Sequence, residues 1–221
     1  MEITKYNITN INNAYSLVRT CSPFKIRKGI LSDKSGAEKE VYVIVLRGTT
    51  FSFDKTDPLS TFSCFRSAVA KDNLYFDLLK ENILKYIPEK SNLVFIGHSL
   101  GGMVSQQLAA DKDIKPKYNI LKVLTIGSPY IIGRGSKCPL TRIIETADTI
   151  PALCSAALLA NSFIGNPHHE INGFFMHPVK AHTEAYECGD KWKPYDCFGE
   201  KDGGRSIVID DIPDEQVYLG E

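Results

Sequence analysis

The stretch Gly97-His98-Ser99-Leu100-Gly101-Gly102 sets a serine between glycines at the spacing Gly-x-Ser-x-Gly. A serine hydroxyl is a weak nucleophile. It needs a neighbouring base, and a site that stabilises the negative charge developing on an attacked carbonyl oxygen. The flanks supply a context for both. Leu93-Val94-Phe95-Ile96 is strand-like, and Leu100, Met103, Val104, Gln107 and Leu108 recur on one face of a helix that follows. A serine on a sharp strand-to-helix turn projects its hydroxyl above the sheet edge. The Leu100 N–H then points to where charge would develop, with the positive helix end behind it. Gly97 and Gly101 are small because neighbouring backbone passes close to them. His98 adjoins Ser99, but adjacent residues leave such a turn in different directions, so His98 reads as scaffold and not as the base.

A nucleophile on such a turn requires strands beside it. Val41-Tyr42-Val43-Ile44-Val45-Leu46 is apolar throughout, as in a central strand buried on both faces. It runs into Arg47-Gly48-Thr49-Thr50. The backbone N–H and hydroxyl of Thr49 could supply the second half of an oxyanion hole, with Leu100 as the first. Residues 24 to 31 and 41 to 47 read as strands of an antiparallel hairpin around Ser32-Asp33-Lys34-Ser35-Gly36. Residues 10 to 21 read as a helix buried through Ile11, Ala14, Tyr15 and Val18. An amphipathic helix over 73 to 87, with Leu74, Leu78, Leu79, Ile83, Tyr86 and Ile87 as its buried face, ends at Pro88. Strand, helix, strand implies a parallel crossover.

Leu121 to Ile126 and Arg142 to Glu145 read as two more strands, and Ser206 to Ile209 as a short strand at an edge. Just past the second lies Asp148, in Asp148-Thr149-Ile150-Pro151, at the strand end where α/β enzymes place their chemistry; taken alone it reads as a turn residue before a proline. Four histidines follow, His168, His169, His177 and His182, with no metal-ligand spacing. His182, in Ala181-His182-Thr183-Glu184-Ala185-Tyr186, reads as the start of a last helix. Ser99, Asp148 and His182 then run in the chain order of the α/β-hydrolases, with His177 the alternative to His182 as the base. Two segments keep two readings each. Residues 51 to 70, with Phe51, Phe53, Phe62 and Phe65, are a lid or an ordinary loop. The apolar run from Ala152 to Ile164 is a buried helix, or an acyl-binding wall that dips into lipid.

Composition narrows the class. The 221 residues fit one α/β domain over 1–221, and no repeat or linker divides them. Lys+Arg and Asp+Glu balance at 26 each, which argues against nucleic acid. No apolar run approaches about 18 residues, so no transmembrane helix is expected. Met1-Glu2-Ile3-Thr4-Lys5 lacks the pattern of a secretory signal, which favours a cytoplasmic location. The six cysteines form no Cys-x-x-Cys pair. Cys188 and Cys197 bracket a turn-rich loop and are the first pair to test for a disulfide; free buried thiols are the equal alternative.

Together these residues resemble the class 3 lipase family over roughly residues 10 to 190. Val43 to Thr49 is similar to that family's oxyanion strand, Gly97 to Gly102 to its elbow, and Thr125-Ile126-Gly127-Ser128-Pro129 to the strand end after it. Asp148 to Pro151 resembles its Asp-x-Val-Pro motif, and His182 with Tyr186 its closing histidine motif. The resemblance implies an α/β-hydrolase fold, a mostly parallel central sheet flanked by helices. It implies Ser99 as nucleophile, His182 as general base, Asp148 as its orienting acid, and Thr49 and Leu100 as the oxyanion hole. No metal and no cofactor is implied. The expected substrate is a lipid acyl ester, met in transient contact with a membrane or lipid surface. Triacylglycerol lipase, carboxylesterase, phospholipase A and acyltransferase chemistry all fit one triad. The non-enzyme reading is a lipid-binding protein on a hydrolase scaffold.

Overall fold

Side chains alternate faces along a strand, so a strand apolar at every position must be covered on both sides. Strand β3 (Glu38–Leu46) obeys this. Val43 and Val45 enter one core cluster, Ile44 and Leu46 the other, and all four are buried. The computed structural model describes residues 4–21, 23–49, 74–131, 139–152, 167–170, 178–187 and 190–211.

The other strands are β1 (Thr4–Ile8), β2 (Phe24–Ser32), β4 (Asn92–His98), β5 (Asn119–Ile126), β6 (Leu140–Glu145), β7 (Pro167–Glu170) and β8 (Ser206–Asp211). They form one eight-stranded sheet in the order β1-β8-β2-β3-β4-β5-β6-β7. Strands β3 to β7 pair in parallel, and β1, β8, β2 and β3 pair antiparallel. The helices are α1 (Ile11–Thr20), α2 (Leu74–Tyr86), α3 (Leu100–Ala110) and α4 (Pro178–Thr183). Helices α2 and α3 cover one face of the sheet; α1 and the segment around Trp192 to Phe198 cover the other. This is the α/β-hydrolase fold, with a mostly parallel sheet between helical layers. Because β3, β4, β5 and β6 run in parallel, their C-terminal ends share one edge. That edge collects Arg47-Gly48-Thr49, Ser99, Gly127 and, three residues past Glu145, Asp148.

Local chemistry explains the joints. The Asn10 side chain accepts from the Asn13 N–H at 3.0 Å and starts α1. In the β2–β3 turn, Asp33 Oδ1 accepts from the N–H groups of Ser35 at 2.8 Å and Ala37 at 3.1 Å.

The structure corrects four expectations. Helix α2 buries Tyr75, Leu79 and Ile83, with Ile87 just after it, a stripe at four-residue spacing. Leu74, Leu78 and Tyr86 face outward, at 54 %, 39 % and 36 % exposure. Helix α3 is buried almost all round, and Gln106, not Gln107, is the inward glutamine. Its amide donates to Pro129 O at 2.7 Å and accepts from Ile131 N at 3.0 Å. Strand β8 is not at the edge: it pairs with β1 and with β2, and β1 is the edge. His182 lies near the end of α4 rather than at the start of a helix. The segments 51–70 and 153–164 lie outside the described residues.

A direct test of the α2 register follows from burial. Leu79→Ala should cost about 2–5 kcal/mol because it opens a hole in the core. Leu78→Ala, one residue earlier and half in water, should stay within about 0.5 kcal/mol. Urea unfolding of both variants measures the contrast.

Candidate active site

Ser99 is the N-cap of α3, with φ 52° and ψ −120°, a backbone conformation few side-chain-bearing residues adopt. Its N–H donates to Ile126 O at 3.0 Å, which ties the turn to β5. The flanking glycines are required by contact. A Cβ on Gly97 would stand 2.5 Å from the Gly101 backbone, and one on Gly101 would stand 2.3 Å from Leu46 O. Real Cβ atoms do not come so near, so the turn closes onto β3 only with glycine at both positions. The Ser99 hydroxyl caps nothing in its own helix. It faces His182 instead.

His182 Nε2 lies 2.8 Å from Ser99 Oγ, and His182 Nδ1 lies 2.9 Å from Asp148 Oδ2 and 3.1 Å from Oδ1. A carboxylate only accepts, so Nδ1 carries the proton and Nε2 is free to accept from the Ser99 hydroxyl. Asp148 is further held by two donors: the Tyr186 hydroxyl to Oδ2 at 2.6 Å and the Ile150 N–H to Oδ1 at 3.0 Å. Its side chain is buried, whereas the His182 side chain keeps 14 % exposure. A serine hydroxyl, a partly exposed imidazole and a shielded carboxylate thus stand in one hydrogen-bonded line. His177 lies outside the described residues.

Thr49 and Leu100 border the same serine. Leu100 is the first residue of α3, where an N–H has no partner within the helix. Gly48 packs on the nucleophile so closely that a Cβ there would stand 3.0 Å from Ser99 Cβ and 2.7 Å from His98 Nδ1. The Thr49 hydroxyl oxygen is buried and has no hydrogen-bond partner among the described residues.

Three contributors could not be read from residue type and spacing alone. The first is Tyr186, whose hydroxyl donates to Asp148 and accepts from the Glu145 N–H at 3.1 Å. Burial, then the negative charge of Asp148, hold this phenol well above its ordinary pKa, so it remains a donor. The second is His98. Its Nε2–H donates to the His182 carbonyl at 2.9 Å, and the two rings lie 4.5 Å apart. Burial, then repulsion from His182, keep His98 neutral by lowering its pKa well below the ordinary value. The third is Tyr15, whose hydroxyl donates to the next carbonyl, Thr183 O, at 2.7 Å. Helix α4 spans six residues, too few to stand alone. Its last carbonyls, which no intrahelical N–H reaches, are held by side chains from β4 and α1.

Among the described residues no group of three or more His, Cys, Asp or Glu side chains could hold a metal ion. Cys197 is a buried free thiol, and Cys188 lies outside the described residues. No helix among the described residues is long and apolar enough to cross a membrane.

A family model described as the PGAP1-like alpha/beta domain matches residues 50–134. It is of α/β-hydrolase type. The match holds α2, β4, the Ser99 turn, α3 and β5, and ends before Asp148 and His182. It does not single out the class 3 lipases. No curated protein matches the chain.

Two outcomes follow from the buried network. Tyr186→Phe removes a donor to a buried carboxylate and should cost about 1–3 kcal/mol in unfolding free energy. The depressed pKa of His98 means that the unfolded chain takes up its proton first as pH falls. Stability from this residue should be present above its ordinary pKa of about 6.5 and be lost on acidification below it. Comparing thermal midpoints of wild type and His98→Gln from pH 8 to 5 should show the steeper fall in wild type.

Proposed function

We propose that the chain is a serine ester hydrolase that cleaves acyl esters of lipids through an acyl-enzyme. One observation carries this reading: the hydrogen-bonded line Ser99–His182–Asp148, with the serine at a strained strand-to-helix turn. His182 takes the Ser99 proton as Oγ attacks the ester carbonyl. The tetrahedral oxyanion is received by the N–H groups of Thr49 and Leu100, aided by the unpartnered Thr49 hydroxyl. His182 then gives its proton to the leaving alcohol, and the acyl group stays on Ser99. A water deprotonated by His182 attacks the acyl-enzyme and releases the acid. Asp148 holds the imidazole in the right tautomer and stabilises the imidazolium, and Tyr186 holds Asp148.

The lipid part of the reading rests on the resemblance of five ordered motifs to the class 3 lipases, supported at the coarser level by the α/β-hydrolase-type family match. Acyl transfer to another alcohol would use the same first half-reaction. A binding-only role would leave no reason for a base and an acid aligned on a strained serine.

Ser99 should be labelled by a fluorophosphonate, and p-nitrophenyl esters should be hydrolysed. Ser99→Ala should abolish both. His182→Ala should lower kcat by about 10³-fold or more with the fold intact, as loss of a triad member does elsewhere. Absence of labelling and of turnover in wild type would overturn the reading.

A further inference from the structure

A cavity of about 390 Å³ opens beside the nucleophile turn. Three elements build its described walls: α1 through Tyr15, Val18 and Arg19, the end of β3 through Arg47 to Thr49, and the turn after α4 through Thr183 and Glu184. His98 forms part of the lining as well. Gly48 packs against both His98 and Ser99, so this space lies beside the serine turn, although neither Ser99 nor His182 lines it. The lining mixes apolar and polar surface in about equal parts. Val18 and the Tyr15 ring stand beside an imidazole and charged side chains.

The charges are not equivalent. Arg19 is paired with Glu187, and its charge is thereby compensated. Among the described residues the Arg47 side chain has no hydrogen-bond or ion-pair partner, although its backbone N–H is bound to Pro23 O at 3.1 Å. Glu184 is the acid on the wall; it is exposed and forms no ion pair with Arg47. A guanidinium presents planar donors that match phosphate or carboxylate oxygens in pairs. Thr49 and Thr183 lie on the same walls. A neutral chain seated here would cover a guanidinium and return nothing for its lost water.

We propose that this cavity receives an anionic group, a phosphate monoester or a carboxylate, carried by the ester substrate itself, and that Arg47 is the residue that selects for it. The proposal rests on the hydrolase reading. It distinguishes the chain's substrate from a neutral glyceride.

The test uses two esters that differ by one phosphate, 1-oleoyl lysophosphatidate and 1-monooleoylglycerol, in identical mixed detergent micelles. The readout is the ratio of their kcat/KM values in wild type, Arg47→Gln and Arg47→Lys. Wild type should favour lysophosphatidate. Arg47→Gln should lower the ratio about tenfold, mainly through KM for the phosphorylated ester. Arg47→Lys should keep part of the preference, which loss of folding could not mimic. Fluorophosphonate labelling with equal use of both esters, or an unchanged ratio in Arg47→Gln, overturns the anion site and leaves the hydrolase standing. Free inorganic phosphate that alters monooleoylglycerol turnover, with no preference between the esters, makes the anion a separate ligand and overturns the substrate assignment. No label and no turnover of either ester overturns the hydrolase reading and the proposal with it.

Discussion

The backbone of Ser99 is held where serine does not rest of its own accord, and the surrounding structure exists in large part to hold it there. A positive φ at a residue with a Cβ costs about 1–3 kcal/mol and persists only when neighbours over-determine it. Here β5 accepts the Ser99 N–H, α3 begins at once, and the Gly101 backbone is pressed against the end of β3. The sheet order makes that contact available, because β3 and β5 are the two neighbours of the strand that carries the turn. A parallel sheet places three strand ends together; the turn uses all three.

The His182 imidazole is positioned by a different device. Helix α4 has few residues of its own to pack, so its exit is held by side chains that reach carbonyl groups. His98, Tyr15, Trp192 and Asn12 bind the carbonyls of His182, Thr183, Ala185, Tyr186 and Glu187. Each donor comes from another element. The imidazole therefore sits on a segment whose geometry belongs to the whole domain and not to a local helix. The Asp148 carboxylate is held similarly, by a phenol and a backbone N–H that reach both of its oxygens.

Much of this was legible in the residues, and the limits have physical causes. The strand-turn-helix around Ser99 announces itself because glycine spacing, apolar runs and helical periodicity agree there. The β2–β3 hairpin was equally plain from its turn chemistry. The α2 face was misjudged: Leu74 and Leu78 are apolar but point to water, and the stripe through Tyr75, Leu79 and Ile83 offers the same period with nothing local to choose between them. Strands β1 and β7 are too short for a pattern, and β8 looked like an edge because its partners are remote in the chain. Asp148 and His182 are pointed to only by chain order and motif, since neither has a local signal of its own. His98, Tyr15 and Tyr186 make their hydrogen bonds across long sequence separations, which no spacing encodes.

The placement of β8 has a consequence for how the molecule is made. Thr4 stands opposite Asp211, and Gly29 opposite Ile209, so the last described strand fills a slot between two of the earliest. Closing so long a loop is slow compared with forming local hairpins and helices. While the chain is being synthesised, β1 and the outer edge of β2 must wait with unpaired N–H and C=O groups until residues near 211 emerge. The parallel half of the sheet, which carries the serine, can assemble earlier from neighbours in sequence. Emergence of β8 is thus the late step that seals the open edge, and a nascent chain halted before it would carry a formed serine turn beside an adhesive, unfinished sheet.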